Sequence, residues 1–370
     1  MKIGIVTEYF YPTLGGITEN IYHFSKELLR RGHDFRIITG RDGDPGAIED
    51  EIRRRIIYVG KSTPVFFNGS CGRVARGFSL ARKMKEVLAS ERFDILHLHS
   101  PLFPTLPMLA NLHADAPVLG TFHTCMGDDI YYRLYKGRCL DLLDRIAGRI
   151  AVSECCAREN AEHFDRSFDV IPNGVDVEWW VKDAKPLDKY QDGVFNILFL
   201  GRPDTRNGLD TLIHAFARVH RKNPKTRLIV VGDGPLRFYF EGLVPDDVRD
   251  SVIFEGAAYN ERPSFLASAH AFCFTPTIAS FGITILEGMS AGRAIIASDI
   301  EAFRALLTHE ESALLVPPAD EDALAGALER LIEDEELRTG LAATAAMRVE
   351  HYDWKRVAEM QIEYYRKILG

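Results

Sequence analysis

The residues best placed to do chemistry lie in one stretch, FTPTIASFGITILEGMSAGRAIIASD, running from Phe274 to Asp299. It opens at the end of an apolar run, Ala271 to Phe274, crosses a small polar loop and starts a helix near Gly282. Glycine at a helix start lets a ligand reach the backbone, and the unpaired N–H groups of the first turn, with the helix dipole, favour an anion. Glu287 follows on the same helix, where it can meet a ribose whose phosphates touch the helix start. The arrangement suits a nucleotide diphosphate; an ordinary βα turn is the plain alternative.

Four further groups come from position and spacing. His123, in Gly120-Thr121-Phe122-His123-Thr124, stands at the carboxyl end of a strand, where open α/β sheets place ligands; the alternative is a core or capping histidine. Gly15-Gly16 sits at a strand-to-helix turn, where paired glycines admit φ > 0 and seat a phosphate, or simply make a turn. His97 and His99 form an HxH pair on one strand face, without a nearby carboxylate or third ligand to complete a metal site. Asp42-Gly43-Asp44 has the DxD spacing of a metal-dependent transferase but lies in a Gly/Pro turn and reads as a solvated turn.

The elements that must position these groups alternate along the whole chain, strand-like apolar runs with amphipathic helices, the pattern of parallel sheets covered on both faces. Strands are expected near Lys2–Thr7, Asp34–Thr39, Ile95–His99, Val118–Phe122, Arg149–Val152 and Asp169–Ile171. A second series follows near Asn196–Leu200, Arg227–Val231, Val252–Phe254, Ala271–Phe274, Ala294–Ala297 and Ala313–Val316. A chain of 370 residues is too long for one ordinary core. Residues 1–180 and 190–352 are therefore expected to form two Rossmann-like domains, with 172–193 as linker. Trp354, Val357, Met360, Tyr364 and Ile368 repeat at helical spacing in a last helix, 353–370.

With 46% hydrophobic and 26% charged residues the composition is that of a globular protein. The net charge of −8 argues against nucleic acid as a partner. No run approaches the ~20 apolar residues needed to span a bilayer, and Met1-Lys2-Ile3-Gly4-Ile5-Val6 leads straight into a strand pattern. The expected location is cytoplasmic, peripheral on the inner face of the membrane. The six cysteines show neither CxxC nor zinc spacing and are expected to be reduced.

SFGITILEGMSAGRAIIASD resembles the donor-site signature of the family-four retaining glycosyltransferases, in which two Glu residues are separated by seven others. The resemblance implies the GT-B architecture: α/β, two doubly wound domains facing each other across a cleft, the last helix crossing back to the first. Glu287 matches the second Glu, used there on the donor ribose. The first Glu, which holds donor-sugar hydroxyls, is replaced by Ala279. Phe281, Gly282, Ile283 and Thr284 match the helix start under the diphosphate. In Gly201-Arg202-Pro203-Asp204-Thr205-Arg206-Asn207-Gly208, Arg202 matches the family's diphosphate-binding Arg. Asn207 stands where a Lys is expected, with Arg206 beside it as candidate replacement. Two cations would offset the charge gained by the leaving nucleotide. Gly232, in a strand-to-helix turn, and Gly256, Ala257 and Tyr259, beside the base, complete the donor side. Gly16 faces the diphosphate and His123 the sugar ring. A metal cofactor is not implied; the donor would be a nucleotide sugar such as GDP-mannose or a UDP-sugar.

The segments YPTLGGITENI, LHLHSPLFPTLPML and APVLGTFHT look like the phosphatidylinositol mannosyltransferases of that family. This implies a lipid-linked or polyol acceptor near Tyr9, Gly15, Gly16, Thr18 and Asn68. Arg73, Arg76, Arg82, Lys83 and Lys85 cluster beside aromatics. Around Leu80, Met84, Val87 and Leu88 they make either an ordinary packed surface helix or a contact for anionic lipid. The reading is a retaining glycosyltransferase. Its alternatives are an inactive nucleotide-sugar-binding relative, favoured by Asn207 and Ala279, and a sugar-nucleotide epimerase.

Overall fold

Runs of Val, Ile, Leu and Phe bounded by Gly, Pro and polar turns become strands, and the amphipathic stretches between them helices, in a computed structural model of the chain. The structure describes residues 1–13, 15–44, 46, 48–67, 70–124, 135–182, 184–258 and 260–370. It divides into two units, Met1–Gly174 with Trp354–Gly370, and Val175–Asp353.

The first unit is built on eight strands: β1 (Lys2–Val6), β2 (Asp34–Arg41), β3 (Ile56–Phe67), β4 (Ser70–Arg76), β5 (Ile95–His99), β6 (Val118–Phe122), β7 (Gly148–Ala151) and β8 (Asp169–Val170). Their order is β4-β3-β2-β1-β5-β6-β7-β8, so the winding reverses between β1 and β5. Ile3, Ile5, Ile37, Ile95, Leu119 and Ile150 form its buried centre, against Phe24 and Leu28 of the helix Gly16–Arg30. Each such side chain contributes about 1.5–3 kcal/mol by leaving water. The helix Trp354–Leu369 joins this core through Val357, Ala358, Ile362 and Tyr365.

One pair of strands escaped the sequence reading. β3 and β4 form an antiparallel hairpin at the sheet edge, pairing Thr63 with Val74 and Lys61 with Arg76. Arg73 therefore lies on a strand. Its guanidinium bonds Asp42 and, at 3.0 Å, Ser62 Oγ, so it is a tether and not a free cation for lipid. Asp42 also accepts from the Thr13 hydroxyl, which makes this end of the DxD a tie between loops and not a solvated turn.

The second unit carries β9 (Phe195–Leu200), β10 (Thr226–Val231), β11 (Val252–Gly256), β12 (Ala271–Phe274), β13 (Ala294–Ser298) and β14 (Leu314–Val316). The order β11-β10-β9-β12-β13-β14 is parallel throughout and reverses between β9 and β12. The expected linker is in large part packed structure. Val177–Val181 is helical, and Trp180 and Tyr190 are buried because both rings are too large to leave in water.

Candidate active site

In doubly wound sheets, ligands sit beyond the carboxyl ends of the strands where the winding reverses. In the second unit those ends are the loops after β9 and β12, Gly201–Gly208 and Thr275–Gly282. The two loops are joined through the backbone. Thr277 N–H donates to the Arg206 carbonyl at 3.0 Å. Gly208, at φ 71°, lies so close to Thr275 that a Cβ would fall 1.9 Å from its carbonyl oxygen, so only glycine fits. Gly282 follows at φ 117° as the cap of the helix Ile283–Ser290, again a conformation that favours glycine. The N–H groups of Ile283 and Thr284 belong to the first turn, which has no intrahelical acceptor.

In the loop after β9 two guanidiniums bracket one buried carboxylate. Arg202 Nη2 lies 3.6 Å from Asp204 Oδ2, and Arg206 Nε lies 3.6 Å from Asp204 Oδ1. Arg206, one residue away from the expected lysine position, is thus drawn to the same point as Arg202. The Asn207 side chain donates to the Arg202 carbonyl at 2.8 Å and braces the loop. Ala279 is half-buried next to the exposed Ile278. Phe281 packs inward against Tyr352, so only its main chain faces the loop.

Glu287 is buried and accepts from Arg262 Nη1 at 3.1 Å. Arg262 in turn lies over the Trp179 and Trp180 rings, at 5.4 and 5.3 Å from their centroids. No spacing in the sequence links these residues. Gly232 N–H donates to the Gly256 carbonyl at 2.8 Å, and Ala257 is exposed just beyond β11. Tyr259 lies outside the described residues.

In the first unit the reversal point lies beside the ends of β1 and β5, and β6 is next to it. His99 Nδ1 and His123 Nε2 share a hydrogen bond of 2.8 Å. His97 bonds the Tyr365 hydroxyl through Nδ1 and the Thr121 hydroxyl through Nε2, each at 2.6 Å. The three rings stack, with centroids 4.5 Å apart from His97 to His99 and 5.0 Å from His99 to His123. Burial pulls His97 and His123 down to about 3 and His99 well below its ordinary range, so all three are neutral at pH 7. Among the described residues no group of three or more His, Cys, Asp or Glu is arranged to hold a metal ion.

Gly15 and Gly16 do not adopt the positive φ expected of the pair. Gly15 is extended, at φ 167°, and Gly16 begins the helix. A Cβ on Gly15 would meet nothing within 4 Å. Tyr9 is half-buried nearby in sequence. Thr18 is fully buried and its hydroxyl donates to the Thr13 carbonyl at 2.8 Å, so its side chain shapes the loop and does not face an acceptor. Asn68 lies outside the described residues.

Glu8 was not singled out from sequence, having no motif around it. Its carboxyl accepts from the N–H groups of Ala75, Thr105 and Leu106 at 2.7, 2.8 and 2.6 Å, capping the helix Leu106–His113 and anchoring β4. Burial nevertheless pushes it up to about 7. On the helix Leu80–Glu91, Met84 and Leu88 are buried while Arg82, Lys83 and Lys85 are exposed. Arg76 is exposed, and Phe78, in the turn before the helix, is 97% exposed.

Two open, doubly wound sheets, the first parallel except for its edge hairpin and the second parallel throughout, are the arrangement of proteins built on paired Rossmann-like units. The chain belongs to the family-four glycosyltransferases: residues 14–179 match Glycosyltransferase Family 4 and residues 194–334 match Glycosyl transferases group 1. A phosphatidyl-myo-inositol mannosyltransferase of Mycolicibacterium smegmatis is 33% identical over 374 residues, 100% of this chain and 95% of that protein. The protein of the same name from Mycobacterium tuberculosis (strain ATCC 25618 / H37Rv) is 33% identical over 379 residues, 100% of this chain and 98% of its own. Among solved structures, Anabaena Alr3699/HepE in complex with UDP and glucose superposes with a TM-score of 0.80 at 19% identity, covering 99% of each chain. That likeness supports the GT-B fold.

Proposed function

We propose that this glycosyltransferase moves a hexose, with retention, from a nucleotide diphosphate sugar such as GDP-mannose or a UDP-sugar to a hydroxyl of a lipid-linked polyol of the phosphatidylinositol class. The observation that carries the donor side is the convergence of Arg202 and Arg206 on Asp204, in a loop hydrogen-bonded to the one that leads to a glycine-capped helix start. The diphosphate lies on the N–H groups of Gly282 to Thr284 and between the two guanidiniums. Glu287, steadied by Arg262, takes the ribose. The loop around Gly232, Gly256, Ala257 and Tyr259 receives the base.

As the bond from the anomeric carbon to the phosphate oxygen breaks, its electron pair goes to the diphosphate, where fixed donors are each worth about 2.7–4 kcal/mol. The acceptor hydroxyl attacks the same face of the sugar and passes its proton to the leaving phosphate oxygen. His123 lines the sugar, and the space beside Gly15, with Gly16, Tyr9 and Asn68, takes the acceptor. Neutralisation by arginines and main-chain dipoles makes a resident metal unnecessary in this scheme. Arg76, Arg82, Lys83 and Lys85, with Phe78, meet anionic lipid.

The test is incubation with GDP-mannose, UDP-glucose and UDP-N-acetylglucosamine, with and without phosphatidylinositol vesicles. Sugar recovered in the lipid supports the proposal. Tight nucleotide binding without product, or free epimerised nucleotide, contradicts it.

A further inference from the structure

We infer that His99 is a positioning residue, holding His123 by Nε2 and so deciding which nitrogen of that ring is left for the ligand; this rests on the reading that His123 lines the sugar. His99 is 1% exposed and lies between two other imidazoles, its plane within 28° of His97 and 16° of His123. It makes its hydrogen bond to His123 through Nδ1. Its Nε2 is buried without a partner among the described residues. His97, the neighbouring ring, has both nitrogens satisfied.

A buried imidazole with half its hydrogen-bonding capacity unused is a costly way to fill a core, where an aliphatic side chain would leave nothing unpaired. Stability therefore does not account for a histidine at this position, and such local costs are expected where a site needs them. The main chain around His123 is independently fixed. Cys156 Sγ lies 3.4 and 3.3 Å from the Phe122 and Thr124 carbonyl oxygens, and Asn160 Nδ2 donates to the latter at 3.2 Å. What remains to be set is the rotation of the ring and the place of its proton, and His99 sets both.

Only one proton can occupy the contact between two neutral rings. Were His123 the donor, His99 would carry its own proton on Nε2, leaving a buried N–H with no acceptor, the rarer kind of orphan. With His99 donating, the unsatisfied atom is a lone pair, and His123 holds its proton on Nδ1. His123 then offers a hydrogen-bond donor to an oxygen of the sugar or acceptor.

The test uses the full chain labelled with 15N-histidine at pH 7.5, comparing wild type, His99→Leu and His99→Asn, whose amide N–H can replace the Nδ1 donor. In wild type, long-range 1H–15N correlations should show His123 as one neutral tautomer protonated on Nδ1. His99→Leu should lose that preference and lower kcat about 10- to 100-fold, the scale of a misplaced reacting group. Its melting temperature should be equal or higher and its affinity for GDP and UDP unchanged, and His99→Asn should recover part of both tautomer and rate. Protonation of His123 on Nε2 in wild type would overturn the inference, as would full activity in His99→Leu or activity lost in step with stability. A wild type that neither binds nucleotide diphosphate nor transfers sugar would sink the underlying reading instead, and the tautomer would still report whether His99 controls His123.

Discussion

The two reversal points are made in different ways. In the second unit the candidate donor site is assembled from main chain: Gly208 against the Thr275 carbonyl, Thr277 N–H on the Arg206 carbonyl, and a helix start at Gly282. Side chains add charge to a shape the backbone already has. In the first unit the candidate site is assembled from buried side chains that meet across strands and from the last helix, His123 on His99 and Tyr365 on His97. A diphosphate offers the same oxygens whatever it carries, so peptide dipoles suffice to hold it. A sugar or polyol acceptor differs from its rivals in the placement of hydroxyls, and that discrimination needs directed side-chain groups.

The sharpest way to break this comparison is to remove charge from the second unit. Arg202→Ala should lower kcat about 100- to 1,000-fold, and Arg206→Ala should fall in the same direction. A normal rate in Arg206→Ala would show that convergence on Asp204 has no bearing on the donor. The backbone claim is next in size: Gly208→Val, forced against the Thr275 carbonyl, should cost about 3 kcal/mol in urea unfolding. Gly15→Ala, by contrast, is extended with open space around it and should stay within about 0.5 kcal/mol of wild type. Any loss in Gly15→Ala should instead appear as a raised KM for acceptor.

Acid acts in opposite senses on two buried groups of the first unit. The folded value of His97 is depressed to about 3. Its contribution is therefore fully present above the unfolded value near 6.5 and is lost as pH falls towards 3, about 2 kcal/mol by pH 5. Glu8, raised to about 7, works in the opposite sense: its contribution is present below its ordinary value and is lost as pH rises through 7. Glu8→Gln removes that opposing group, so between pH 8 and pH 5 its denaturation midpoint should drop more steeply than that of wild type. The last expected effect is at the membrane, where it is divided among three charges. Neutralising Arg82, Lys83 and Lys85 together should weaken sedimentation with anionic vesicles by about 1 kcal/mol per charge, more at low salt. Binding indifferent to both would remove the lipid contact.

What was legible in the sequence follows the same division. The alternating strands and the Gly282 helix start could be read because glycine and apolar runs report backbone geometry directly. The β3–β4 hairpin was hidden because its second strand, Ser70–Arg76, mixes Gly, Arg and Ser with few apolar residues. The last helix was recognised from Trp354 and Val357, yet the fully buried face continues through Gln361, Ile362 and Tyr365, with Met360, Tyr364 and Ile368 flanking it. Tyr365 therefore went unnoticed, and with it the partner of His97. His99 appeared only as half of a metal-like pair, since spacing along a strand cannot tell that the next strand brings His123 to it. Arg262 and Glu8 meet their partners through long-range contacts that no local pattern announces.

The most direct test of the account is a crystal structure of the chain with a bound nucleoside diphosphate. The phosphates should lie within hydrogen-bond distance of the N–H groups at residues 282–284 and of the Arg202 and Arg206 guanidiniums. Phosphates bound elsewhere on the second unit, with both arginines still held at Asp204, would contradict it.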